Sequence, residues 1–481
     1  MQHFKEAYDS FLFYNLNKFG LVFIIQAIEF YLDQLHTFWL LSRRSISNIS
    51  RLDSQVTLLI WLSLMERQGF LRPNFWRDTQ MSATFPLAKL TFLIAILTAV
   101  GQMTQTMYVP SIGHMAGEFL VSASSLQAVM ACYLIPYGLS QFAYGPLSDR
   151  LGRKPIIVVG LIIYIIGTLV ALFAHEYEWF LAGSFIQGLG IGCGGAMSRT
   201  LTRDCFEGAE LHRANSLISM CVIFSPLMAP VLGGYLTEAF GWRSSYLFLA
   251  LFGIAVVITM MTSMMETLPK ERRKHESVAN SYKFVLSDKR FQGFLLVLVA
   301  TFAGVAVFEA AAGVLLGGVL GLPATTVSLL FVLPIPGYLV GAGLSSYIAQ
   351  RSSERRALNV GLVAILVGST VVLIPGLFSQ TTALTLIGGA TIYFLGAGIL
   401  FPAATTGALS PFPYHAGTGG AILGGMQNLG AGIATLLASF FPAQDQLPLG
   451  CLMIAMSFIA MLGLRWVNRK PDHSNEMPLA I

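Results

Sequence analysis

Charge is scarce in this chain. Asp, Glu, Lys and Arg make up 11% of its 481 residues, under half of the roughly 25% usual in soluble domains. With 55% hydrophobic residues and a mean hydropathy of +0.68, that excludes a water-soluble globular protein and leaves an integral membrane protein. Cysteine is scarce too. Cys132, Cys193, Cys205, Cys221 and Cys451 form no C-x-x-C pair, and most lie in apolar runs, so they read as small core residues rather than disulfides or metal ligands. No G-x-x-x-x-G-K-[ST] loop is present, which argues against an ATP-driven pump. His175-Glu176 is followed by Trp179 where H-E-x-x-H needs a His, so an intramembrane hydrolase lacks its catalytic constellation. No bound cofactor or metal is implied. The net charge of +5 does not argue for nucleic acid, because the basic residues sit in short loops beside apolar runs.

What the chain has instead is a rhythm. From Leu87 onward about twelve apolar runs follow, near 87–110, 124–147, 156–174, 178–200, 214–237, 243–264, 291–318, 325–348, 357–377, 381–407, 415–440 and 447–466. Each is close to the ~20 residues that cross a ~30 Å hydrocarbon core. Alternate loops hold the basic residues: Arg150, Arg153 and Lys154; Arg199, Arg203 and Arg213; a dense set over 270–290; then Arg351, Arg355 and Arg356. The other loops have almost none, Arg243 being the clear exception. This asymmetry predicts both ends of the bundle in the cytoplasm.

The longest charged connection, 266–290, divides the runs six and six. The expectation is an all-α membrane protein of two six-helix bundles, over 86–265 and 291–468, around a midplane cavity. A cytoplasmic tail, 469–481, follows. Residues 1–85 read as an N-terminal extension of unclear role. Lys18, Glu29, Asp33 and His36 break its first apolar run, and 56–65 is too short to span. Met81-Ser-Ala-Thr-Phe-Pro reads as a start, which would place residues 1–80 outside the native protein.

Several residues stand out against this background. Glu309 lies mid-run in Val305-Ala-Val-Phe-Glu-Ala-Ala-Ala-Gly313. An ionised carboxylate at bilayer depth costs ~2.5 kcal/mol or more, so it should face a cavity or be protonated. It is the candidate proton-coupling residue; the alternative is a structural Glu. Gln102, Gln105 and Thr106 make the end of the first run unusually polar. They either line the cavity or hydrogen-bond between helices. Tyr133, Tyr137, Phe308, Phe331, Tyr393 and Phe401 offer aromatic surface of the kind broad-specificity and cation-binding sites favour, or simple packing. Gln427 is a further cavity candidate. In the fourth and fifth runs Gln187, Gly188, Gly192, Pro230, Gly233 and Gly234 read as close helix packing.

Between the second and third runs lies Gly145-Pro-Leu-Ser-Asp149-Arg150-Leu-Gly152-Arg153-Lys154-Pro155. Gly145, Pro146 and Gly152 predict a tight turn. Its charges, Asp149, Arg150 and Arg153, are candidates for a conformational lock with Arg199, Arg203 or Asp204, or form a solvated rim. The stretch resembles the G-x-x-x-D-R-x-G-R-[KR] loop of the major facilitator superfamily. Further matches are Gln187-Gly188 (R-x-x-Q-G, with Ser184 for Arg) and Pro230-Val-Leu-Gly233-Gly234 (G-P-x-x-G-G, with Ala229 for Gly). Tyr108 and Pro110 fit D-x-Y-x-P, with Thr106 for Asp.

Over 87–466 the chain is similar to the twelve-helix drug/proton antiporters of that superfamily. The resemblance implies proton-driven export of hydrophobic, often cationic, compounds and detergents across a bacterial inner membrane. A monomer is expected. Its partners would be drug-like molecules, protons and lipid, with no nucleic acid. The rival on the same fold is a proton-coupled importer of one small solute.

Overall fold

The computed structural model describes residues 87–206, 214, 225–226, 228–268, 278–412, 416–442 and 444–467. The N-terminal extension, the Met81 start, the tail and part of the 266–290 connection lie outside the described residues. Among the described residues every regular element is helical. In the first half these are α1 (Leu87–Thr106), short α2 (Ile112–Phe119), α3 (Gln127–Leu151), α4 (Arg153–Leu172), α5 (Tyr177–Cys205), α6 (228–240) and α7 (Arg243–Ser263). Then come α8 (Val278–Ser287), α9 (Lys289–Gly313), α10 (Ala324–Val332), α11 (Pro334–Arg351), α12 (Glu354–Gly376), α13 (Ala383–Leu409), α14 (Ala416–Ser439) and α15 (Leu447–Val467).

Ten helical segments among the described residues are long and apolar enough to cross a membrane, against twelve runs in the sequence. The fifth run falls partly outside the described residues. The second, α3, has 25 residues, about 37 Å at 1.5 Å each, but is too polar for the same test. Its Gln127, Tyr133, Tyr137, Ser140, Gln141 and Tyr144 are all buried, so its polarity faces protein rather than lipid. Outer helices show the opposite pattern. Val159, Ile162 and Ile166 of α4, and Leu247, Leu251, Ile254 and Ile258 of α7, are exposed apolar stripes, as lipid contact requires.

The two halves repeat one packing scheme. Helix α3 packs on α5 as α11 packs on α13, and α4 on α5 as α12 on α13. Likewise α4 meets α7 as α12 meets α15, and α1 meets α5 as α9 meets α13. This is the two-bundle, pseudo-twofold architecture that charge and periodicity predict. Tyr133-Leu-Ile-Pro136 and Phe331-Val-Leu-Pro334 occupy equivalent helices with different outcomes. Pro136 stays inside α3, whereas Pro334 opens α11 after α10 ends. The second copy has another proline at Pro336, and two missing donors in three residues weaken the ladder further.

Within each half the helices approach through small residues. On α5, a Cβ at Gly188 would lie 2.1 Å from the Tyr133 carbonyl of α3, and one at Gly190 would lie 2.3 Å from the Tyr164 nitrogen of α4. Gln187 donates to Thr168 Oγ1 at 2.9 Å. Among the described residues, the seams that join the halves include these three. Gly138 of α3 faces Gly425 and Leu429 of α14. Ser328 Oγ of α10 donates to the Pro230 carbonyl of α6 at 2.8 Å, beside Gly234. The third seam is α1 against α9, which carries the candidate site.

Gly138→Ala would put a Cβ 2.6 Å from both the Gly425 oxygen and the Leu429 nitrogen. Backbone cannot yield as a side-chain tip can, so a loss of about 1–3 kcal/mol is expected. Gly343→Ala meets nothing within 4 Å and, being inside α11, should be neutral or stabilise by up to about 1 kcal/mol. Thermal unfolding in detergent, comparing both variants with the parent, checks this.

Candidate functional site

Glu309 sits on α9 with its carboxyl buried (residue exposure 7%). Its span is the most enclosed, 83% buried in its apolar window against 39% for Glu354–Gly376. Gln105 Nε2 of α1 donates to Glu309 Oε2 at 2.7 Å. The amide belongs to one half and the carboxyl to the other. Beyond the end of α1 the two backbones run side by side in register: one turn past this pair, a Cβ on Gly313, the last residue of α9, would lie 2.4 Å from the Val109 oxygen. One turn further, Gly113 faces the Gly317 carbonyl. The glycines allow this close approach. Among the described residues no Lys or Arg pairs with Glu309. A π-helical turn, Val314–Val319, follows α9 directly, a local geometry frequent at functional sites.

Around this bond the predicted lining residues divide into two groups. Tyr133 donates to the Gly101 carbonyl at 2.8 Å, and its ring tilts against Tyr137 at 5.7 Å. Gly101 is one turn before Gln105, so both tyrosines stand next to the acid's partner. Phe308 stacks on Phe331 (6.2 Å) and meets Phe394 edge-on (5.7 Å). Gln102 and Gln427 are half-buried, and Thr106 is buried. Tyr393 is set apart from them: its hydroxyl donates to the Thr301 carbonyl at 3.4 Å, and its ring presses on Gly304. It fills space within the second half. Phe401 packs on Phe302 and Tyr338.

Two features escape a reading of the sequence. Phe394, next to Tyr393, takes the aromatic place beside Phe308. Thr104 and Tyr164 share a buried 2.7 Å hydrogen bond that no local motif marks.

The basic loop builds a second cluster. The turn is one residue long, Gly152 at φ 105°, a conformation that favours glycine. Gly145 and Pro146, expected in the turn, lie inside α3. Arg153 is buried; its Nη1 donates to Asp149 Oδ1 at 2.5 Å and Ser148 Oγ at 2.6 Å, and its Nε to Asp204 Oδ2 at 2.9 Å. Glu266 accepts from the backbone nitrogens of Arg153 (2.9 Å) and Lys154 (3.2 Å), capping the start of α4. Lys154 Nζ donates to the Met261 and Met264 carbonyls at 2.8 Å, capping the end of α7. Each charge sits at the helix terminus of opposite sign. Burial pushes the Asp204 carboxyl above its ordinary range, while the Arg153 guanidinium pulls it back.

All these bonds lie within the first half. Arg150 is exposed, and the side chain of Arg203 is outside the described residues. Arg199 does not join Asp149. It donates instead to the Gly420 carbonyl of α14, across the halves. At the opposite end of the bundle, Arg243, the basic exception, is held by Glu118 and donates to the Ala174 carbonyl at 2.8 Å.

The family model for the Major Facilitator Superfamily matches residues 94–435. The chain belongs to this superfamily. It is 42% identical over 373 residues to multidrug resistance protein D of Escherichia coli K12, covering 78% of this chain and 94% of that protein. It is 25% identical to the bicyclomycin resistance protein homolog of Haemophilus influenzae, covering 73% of this chain and 90% of that one. The partially occluded inward-open xylose transporter XylE of E. coli shares the fold, with a TM-score of 0.59 at 12% identity, covering 78% of this chain and 97% of that one. The protein is therefore a multi-pass membrane transporter of this superfamily rather than an enzyme.

Arg153 is 7% exposed at its side chain, while Asp149 and Asp204 are 38% and 23% exposed. Arg153→Ala leaves both carboxylates without their shared cation. Discounted for solvent at the two acids, it should cost about 1–3 kcal/mol. Asp149→Asn should cost less, since the Arg153–Asp204 pair survives. Melting temperatures in detergent test the ranking.

Proposed function

We propose that the protein is a proton-coupled multidrug efflux antiporter of the bacterial inner membrane. It exports hydrophobic or amphipathic, often cationic, compounds and detergents, with the ends of its bundle in the cytoplasm. The 42% identity to a multidrug resistance protein over most of both chains supports the substrate class. The observation that carries the coupling is the Gln105–Glu309 hydrogen bond between the halves.

A carboxylate there is held by one neutral amide and no cation, so charging it is expensive. Protonation removes that cost and leaves a neutral group among the aromatic residues. A ligand that binds the deprotonated form better displaces the proton, and the reverse holds by linkage. One proton moving inward across 100 mV releases ~2.3 kcal/mol, roughly a fifty-fold bias toward export. The stacked Phe308–Phe331 pair and the Tyr133–Tyr137 pair supply flat faces for organic cations. In this reading Asp149, Arg153 and Asp204 stiffen one half at its cytoplasmic end, and Arg199 latches that half to α14.

Glu309→Gln keeps the hydrogen-bonding shape without the titratable proton. In proteoliposomes it should abolish drug transport driven by a pH gradient and, because Gln mimics the protonated acid, weaken drug binding. Full proton-driven transport by this variant would overturn the coupling role. Drug accumulation, in place of resistance, in a pump-deficient cell expressing the parent would favour the importer.

A further inference from the structure

Tyr108 has a buried hydroxyl that the reading above does not use. It follows α1 directly, three residues past Gln105, and so on nearly the same helix face. The residue is 3% exposed, and its hydroxyl has no hydrogen-bond partner among the described residues. The same is true of Thr106 Oγ1. A buried phenol normally finds a partner, and leaving it unpaired costs about 1–3 kcal/mol. Phenylalanine would fill the same space without that cost.

The groups in electrostatic range of the Tyr108 hydroxyl come from four helices: Glu309 on α9, Tyr177 on α5, Cys132 on α3 and Tyr246 on α7. Tyr177 is half-buried, and its own hydroxyl donates to the Ser125 carbonyl at 2.5 Å. Ser125 and Tyr177 lie at the end of the bundle opposite the basic loop. Tyr108 thus stands between the acid and that end. The halves are closed there: Gly313 is against Val109, Gly113 against Gly317, and Ala123 against Gly318. A proton can pass such a closure along hydroxyls when a solute cannot.

We propose that Tyr108 is a proton-relay residue connecting Glu309 to the end of the bundle near Tyr177. This rests on Glu309 being the coupling acid. In the inward step the ionised Glu309 carboxylate takes the phenolic proton of Tyr108 through one bridging water, since the two make no direct hydrogen bond. The Tyr108 oxygen takes a proton from water on its Tyr177 side, and solvent restores that proton. An O–H bond breaks and re-forms on Tyr108, one forms on Glu309, and one proton moves inward with no redox change.

The test uses the full chain in proteoliposomes with an amphipathic quaternary ammonium dye. Tyr108→Phe and Glu309→Gln are measured side by side. The readouts are dye flux under a pH gradient, dye–dye exchange at equal pH, and dye Kd. Tyr108→Phe should slow gradient-driven flux by about ten-fold or more and leave exchange and Kd within about two-fold. Parental flux in Tyr108→Phe would overturn the relay. A parallel fall in flux, exchange and affinity would also overturn it, by assigning Tyr108 to structure or dye contact. If Glu309→Gln is inactive while Tyr108→Phe is normal, only the relay fails. If both variants transport normally, the coupling role of Glu309 falls as well.

Discussion

A single hydrogen bond, from the Gln105 amide to the Glu309 carboxyl, sets the terms for the rest of the molecule. An acid in an apolar interior must be neutral, paired with a cation, or very costly. Here the partner is a neutral amide. In the reading we propose, a ligand or a pH gradient decides between the charged and uncharged forms. Because donor and acceptor belong to different halves, the protonation state of one residue bears directly on how the halves hold together. The glycines just beyond this pair, Gly313 against Val109 and Gly113 against Gly317, bring the two backbones near enough for this short side-chain bridge.

The remaining contacts divide by strength in a way that suits rigid-body motion. Inside the first half, glycines on α5 press against backbone of α3 and α4, and in the second half Gly398 and Gly396 of α13 press against backbone of α11 and α12; Arg153, Lys154 and Glu266 tie helix ends together in the first. Between the halves, the polar ties seen in the described residues are few. They include Ser328 to Pro230, Thr325 to Glu238 and Arg199 to Gly420. Close-packed units joined by small sets of exchangeable bonds are bistable rather than continuously deformable.

The sequence made the architecture legible because a bilayer imposes a length and a charge rule on every crossing. Glu309 was legible for the same reason, as an acid in an apolar run. Its partner was not. Gln105 and Glu309 are 204 positions apart, and only the packing of α1 on α9 brings them together. Local motifs misled where helices override them. Gly145 and Pro146 read as turn residues but continue α3, leaving Gly152 to turn alone. Tyr393 and Phe394 are neighbours in sequence on different faces of α13, and aromatic composition cannot say which one meets Phe308. Arg199 and Arg153 look alike in a basic loop pattern, yet one reaches across the halves and the other stays within its own.

Proton release on ligand binding tests the central claim most directly. Adding a saturating amphipathic cation to detergent-solubilised protein in weak buffer should acidify the solution, through displacement of the proton on Glu309. The account predicts release from the parent and none from Glu309→Gln at equal ligand occupancy. Equal release from both proteins would contradict it.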